Sequence, residues 1–346
     1  MLSQSNGRKQ RLLLKRLSAE RGELLSSEFV QAESERSLLT AQLSPPTDTS
    51  ARLLAGLYAL RDPRYAQGLF ATDLTPRAAR TDPSRPALHF YDFRRLRHFF
   101  DYLKPARGAK LLDRAARREA RDEAPLRWHY HVLLHELLPQ PGGGYVLLAE
   151  VYEPIYAGTG LSNGGLSPLN SPYTYLGNPA GRYPAGNLAG PSYPTTFSRY
   201  GYPNNRGLSG FRTTHTLACG FDRRGNLLWD NAFVVDAGMV RTEPEEAVQP
   251  VLLPNGQLVL AYLLDNELHY KRIQQSEPAP NDAKIELRTQ LSDDPARPPT
   301  EKVLDVRQPD VFPWVGNQLI ASGFQRIRPV GHGAERQVFF LQALRF

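Results

Sequence analysis

One cysteine, Cys219, stands in a chain of 346 residues. That excludes an internal disulfide framework, a cysteine-rich zinc module and a CxxC redox site. Lysine is nearly as scarce. Of the 42 basic residues, set against 35 acidic ones for a net charge of +7, only seven are Lys. An arginine excess spread along a chain often reflects genome composition rather than a function. No apolar run approaches the ~20 residues that a membrane-spanning helix needs. Near the start, Leu12-Leu13-Leu14 is cut off by Lys15 and Arg16, short of the about 7–15 apolar residues in the core of a secretory leader. The short catalytic signatures are missing too. No G-x-S-x-G elbow is present, no GK[ST] follows Gly142-Gly143-Gly144, and no HExxH or EF-hand spacing occurs. These absences remove the nucleophile-elbow, phosphate-loop, zincin and EF-hand readings.

What is present is a core-forming composition, 41% hydrophobic and 10% aromatic, together with a recurring local pattern. A Gly-containing turn is followed by a short β-type run at Gly22, Gly144, Gly225, Gly256 and Gly316, as in Asn255-Gly256-Gln257-Leu258-Val259-Leu260. Glycine supplies positive φ at little cost, and tight hairpins require it. The spacing turns these hairpins into a repeat. Gly256 and Gly316 lie 60 residues apart, and Gly144 and Gly256 lie 112 apart. Residues 157–210 have a different character, and removing these 54 leaves 58. A step of 60 back from Gly144, and a further 35 for residues 89–123, lands on Thr49, a loop between two apolar runs. Gly22 precedes Thr49 by 27 residues and Gly225 precedes Gly256 by 31, so each repeat of about 60 residues would hold two hairpins. The pattern predicts an all-β fold, one domain over 1–346, of β-propeller-like four-stranded antiparallel blades. A large β-sandwich is the other all-β reading. Gly22 matches the second hairpin of a repeat, so the spacing predicts that the sequence begins inside a blade and that the ring is incomplete.

Two stretches interrupt the repeat. In residues 89–123, Phe93, Leu96, Phe100 and Leu103 recur at helical spacing, Pro105 and Gly108 break the run, and a weaker helix follows from Leu111. This predicts a short helical insertion packed on the rim. It carries ten basic and six acidic residues, which we read as a solvated helical face in preference to a nucleic-acid footprint. Residues 157–210 hold 11 Gly and 7 Pro with no Asp, Glu or Lys, predicting a long irregular insertion. Its Tyr173, Tyr175, Tyr183, Tyr193, Tyr200 and Tyr202 are the candidate ligand or partner surface, because aromatic rings on a Gly/Pro backbone suit sugars, peptides or other chains.

Other chemistry is thin. His129, His131 and His135 are the best metal candidates, but on a straight strand i and i+6 lie about 20 Å apart, so only the first two could share an ion directly. The reading is of strand histidines on a half-buried face, with no metal and no cofactor. Glu150 and Glu153 could pair for glycosidic work, a weak signal in a chain with 35 acids. Cys219 lies in a strand-like run and reads as a buried, inert thiol. No catalytic residue is assigned.

The segments Phe221-Asp222-Arg223-Arg224-Gly225-Asn226-Leu227-Leu228-Trp229 and Gly143-Gly144-Tyr145-Val146-Leu147-Leu148-Ala149-Glu150-Val151-Tyr152 resemble uncharacterised β-propeller-like proteins of the Bacteroidetes. There a "fDxxGxLlW" strand pair recurs with a "GgyxLxaExY" strand. The resemblance covers most of the chain outside the two insertions. It implies a propeller-like fold and an exported location, periplasmic or at the cell envelope, if a leader precedes the sequence given; otherwise the expectation is cytoplasmic. It implies no catalytic residue. The function expected is a non-enzymatic interaction or ligand-binding scaffold with a protein or glycan partner. The alternatives are an enzyme acting on a glycan or other small substrate at the propeller's top face, and nucleic-acid binding through the basic helical insertion. Trp229 is expected to be buried between neighbouring sheets.

Overall fold

Short apolar runs become strands throughout the computed structural model, which describes residues 2–5, 10–30, 36–45, 52–74, 88–156, 208–236, 238–287, 301–330 and 333–346. The strands form five antiparallel sheets in chain order. The first holds β1 (Leu2–Ser5), β2 (Gln10–Leu17) and β3 (Leu24–Val30). The second holds β4 (Arg36–Leu43), β5 (Leu53–Leu60), β6 (Gly68–Asp73) and β7 (His89–Asp92). The third holds β8 (His131–Leu134), β9 (Leu138–Pro139), β10 (Tyr145–Tyr156), β11 (Leu208–Phe221) and β12 (Leu227–Val234), with β13 (Val240–Arg241) added to β11. The fourth holds β14 (Gln249–Leu252), β15 (Leu258–Leu264), β16 (Glu267–Ile273) and β17 (Ala283–Glu286), and the fifth β18 (Glu301–Pro313), β19 (Gln318–Pro329) and β20 (Arg336–Arg345). Apart from β13 and the broken edge formed by β8 and β9, strands adjacent in a sheet follow one another along the chain, so each sheet is a meander of hairpins.

The turns fall where the glycines put them. Gly22, Gly144, Gly225, Gly256 and Gly316 all have φ between 65° and 89°, the left-handed region that a side chain disfavours. Each sits between two paired strands. The turn near Thr49 joins β4 to β5, and position 49 itself lies outside the described residues. Thr49, Gly144, Gly256 and Gly316 mark the first connection in sheets two to five.

The strand count departs from four in three sheets. The first and fifth have three strands each. In the third, β8 and β9 are one edge strand broken by a bulge. Leu134 faces Ala149 and Leu138 faces Val146, so residues 135–137 oppose Leu147 and Leu148 with one residue too many. The exposed Glu136 takes up the surplus, and His135 and Leu137 stay buried.

Alternation along each strand explains the stacking. In β10, Tyr145, Leu147, Ala149 and Val151 enter one apolar cluster with Leu53, Leu57 and Leu69 of the second sheet, while Val146 and Leu148 enter another with Leu258, Leu260 and Tyr262 of the fourth. β15 repeats the device: Val259, Ala261 and Leu263 turn the other way, to Leu319 and Ala321 of the fifth sheet. Leu54 and Tyr58 of β5 meet Leu12 of β2. The middle sheets are therefore covered on both faces, which is why their strands read as near-continuous apolar runs. Trp229 is 8% exposed in the cluster between the third and fourth sheets. Its indole lies over Gly220, where any Cβ would meet the ring nitrogen at 2.1 Å. Among the described residues no buried cluster joins the first sheet to the fifth.

The stretch 89–123 differs from its expected form. His89–Asp92 is strand β7, Phe93–Arg95 is a single 3-10 turn capped by the Asp92 carboxylate on the Arg94 amide (2.9 Å), and the α-helix α1 runs Pro105–Ala120. Pro105 does not interrupt a helix but opens one, since its fixed φ and missing N–H suit the first turn. Phe93, Leu96, Phe99 and Phe100 reach the cluster between the second and third sheets from irregular backbone, with Phe93 and Phe99 stacked at 4.1 Å. Ala115 joins this cluster from α1, and the buried Gly108 lies against Phe100.

Candidate binding surface

In a meander the first and third connections share one end of a sheet, and the second shares the other end with the link to the next sheet. The tight glycine turns thus lie at one end. The connections 61–67, 93–130 and 235–248 lie at the other, where β10 also ends at Tyr156 and β11 begins at Leu208. There the Ala66 amide donates to the Tyr130 carbonyl (3.0 Å) and bridges the second sheet to the third. The hairpin β10–β11 runs past its neighbours at this end, and β13 pairs with its extension at Phe211 and Arg212.

A row of aromatic rings crosses this end. Tyr65 lies 4.9 Å from His129 and 5.1 Å from His131, centroid to centroid. His131 stacks on Tyr152 at 5.6 Å, and Tyr152 meets Phe211 edge-on at 5.8 Å. His129 is exposed and the other four are half-buried. The register explains the row: Tyr152 is paired with His131 on one side, and Phe211 lies close by on the other strand. Burial, aided by the Arg64 charge, holds the His131 imidazole below its usual pKa, so at neutral pH it is an uncharged ring. Behind the row, on the opposite face of β11, His215 stacks on Tyr102 at 4.4 Å, and the Tyr102 and Tyr130 hydroxyls meet at 2.9 Å. Burial raises the pKa of both phenols.

Beside the row, the link 235–248 is tied to the third sheet by one carboxylate. Glu150, 1% exposed, accepts from the Ala247 amide (3.1 Å), the Val248 amide (2.9 Å) and the Thr213 hydroxyl (3.5 Å), and lies 2.7 Å from His135 Nε2. Between sheet and link, Leu133, Tyr152, Phe211, Arg241 and Glu243 border a cleft of about 10 Å³, close to the least that holds one water molecule. Anything larger must bind on the aromatic rim, not in the cleft.

The sequence-derived candidates fare unevenly. Tyr173, Tyr175, Tyr183, Tyr193, Tyr200 and Tyr202 lie outside the described residues. Their stretch departs from Tyr156 and returns at Leu208, at the far end of the β10–β11 hairpin from Gly144 and Gly225. His129 and His131 flank Tyr65, while His135 is turned into the buried Glu150 contact. Among the described residues no group of three or more His, Cys, Asp or Glu gathers as metal ligands would. Glu150 and Glu153 are not a pair: an odd spacing sends them to opposite faces of β10, where Glu153 binds the Arg212 guanidinium (Nε at 2.9 Å). Cys219 is buried, and burial lifts its thiol pKa well above the ordinary value. Tyr65, Tyr152 and Phe211 were not singled out by sequence. They stand in three separate segments, and only strand register brings them together. Among protein-family models, curated proteins and solved structures, none matches this chain.

Proposed function

We propose that the protein is a non-enzymatic, β-propeller-like binding scaffold whose recognition surface is the aromatic row Tyr65, His129, His131, Tyr152 and Phe211, extended by the Tyr-rich stretch that leaves from the same hairpin. The five meander sheets packed face to face in chain order support the propeller reading, since each sheet can cover its faces only with neighbours. The resemblance of the Phe221–Trp229 segment to Bacteroidetes propeller-like proteins points the same way. The carrying observation is the row itself: partly exposed rings at the end where the β10–β11 hairpin runs past its neighbours. Such rings offer large rigid contact area at low entropic cost, and their π faces suit the C–H faces of sugar rings. A neutral glycan is the ligand class chosen.

The enzyme reading has less support. It needs convergent acids or histidines in a funnel, whereas Glu150 and His135 are spent on anchoring the link. Calorimetric titration of the full chain with soluble dextran, xylan and mixed-linkage β-glucan tests the proposal. At least one should bind, and the double variant Tyr152→Ala/Phe211→Ala should weaken it at least tenfold without lowering the melting temperature by more than a few degrees. Release of reducing ends would establish an enzyme instead. Failure of all three polymers to bind, or equal binding by the double variant, would sink the glycan surface.

A further inference from the structure

Helix α1 has three faces. At 3.6 residues per turn, Gly108, Leu111 and Ala115 form the side against the core. Arg107, Lys110, Arg114, Arg117 and Arg121 follow one another at intervals of three and four residues and share about a quarter-turn of surface. Arg121 is the residue just past the helix end, and all five are exposed. Ala106, Ala109, Leu112, Ala116 and Ala120 make the third side. Three of the five cations are not consumed internally. Arg117 pairs with Asp113, and Arg121 lies 3.8 Å from Glu123. Arg107, Lys110 and Arg114 have no carboxylate within 4.0 Å among the described residues. The helix's remaining acid, Glu119, faces away and is held by Arg94 at 2.7 Å.

We propose that this face docks on the phosphate backbone of a nucleic-acid duplex, independently of sequence and separately from the aromatic row. The five cations span about 21 Å along the helix axis. Over that length one strand of a duplex presents about six phosphates, so charge meets charge in number as well as sign. Four of the five are arginines, whose planar fork matches phosphate oxygens in a way lysine does not. An anionic membrane is the other partner such charge could meet. A helix lying in a lipid interface needs bulky apolar residues on its free side, and here that side is alanine apart from Leu112, which is 38% exposed.

Fluorescence anisotropy of the full chain with a labelled 20-base-pair DNA, from 50 to 300 mM salt, is the test. Each phosphate neutralised contributes about −0.9 to the slope of log affinity against log salt, so the expected slope is near −4. The variant R107Q/K110Q/R114Q should flatten it by about three and weaken binding at least tenfold at 100 mM salt. K15Q/R16Q/R21Q, which removes the same charge from the exposed β2–β3 turn region, should leave both unchanged, and R107K/R114K should keep the slope. Equal losses in the two glutamine variants would reduce the effect to net charge and overturn the proposal. So would absence of DNA binding at 50 mM salt, or a helix variant that loses only its binding to phosphatidylserine vesicles. Glutamine keeps helix propensity, and superimposable thermal melts confirm that each variant is folded.

Discussion

His215 shows what one residue is asked to bear. It is fully buried between Tyr102 and Phe99, its Nδ1 lies 3.0 Å from the Thr214 hydroxyl, and its Nε2 has no hydrogen-bond partner among the described residues. Burial pushes its pKa down from 6.5 to about 3. The unfolded chain therefore binds a proton between those values that the folded chain refuses. Stability is fully present above pH 6.5 and falls as the pH drops toward 3, with a slope of about 1.4 kcal/mol per pH unit from this residue alone. Urea midpoints at pH 4, 5, 6 and 7 should show that slope. His215→Phe keeps the stacking ring and should remove the contribution. A variant as acid-sensitive as the parent would place the titration elsewhere.

At the scale of elements, the link 235–248 depends on the third sheet through Glu150. Glu150→Gln keeps the shape but offers one acceptor oxygen where two amides, Ala247 and Val248, need one each. One buried N–H is then left facing an amide, a cost of about 1–3 kcal/mol. Chemical denaturation should read that loss, and hydrogen exchange at Ala247 and Val248 should quicken; an unchanged exchange rate would mean the link is held by other contacts. Legibility in the sequence divides at this scale. The hairpins could be read because a left-handed turn asks for glycine at Gly22, Gly144, Gly225, Gly256 and Gly316, a requirement local to four residues. The doubly covered strands could be read because burial on both sides leaves no polar alternation in runs such as Leu258–Leu264. The helix start was misplaced because the spacing of Phe93, Leu96, Phe100 and Leu103 mimics a helix, although these side chains reach the core from turns. The aromatic row was hidden for a different reason. Tyr152 and Phe211 become neighbours only through pairing across residues 157–207, and no local rule reports that register.

For the whole molecule, order along the chain is nearly order in space. Strand partners are mostly separated by a short turn, and each sheet packs on the ones made just before and just after it. Such a chain can acquire structure progressively from its beginning, each hairpin supplying the surface on which the next condenses, so most of its contacts are quick to find. The junction between β10 and β11 is the exception. To pair Tyr156 with Leu208, the unfolded chain must first close a loop of about 50 residues, and the third sheet is the one on which both the second and the fourth depend. Replacing residues 157–207 by a six-residue turn should lower that closure cost by about 2 kcal/mol and shorten the slowest refolding phase in stopped-flow fluorescence; slower refolding or a lower melting temperature would mean that the stretch contributes to the folded core. The same connection that would enlarge the recognition surface is thus the place where assembly of the molecule has to wait.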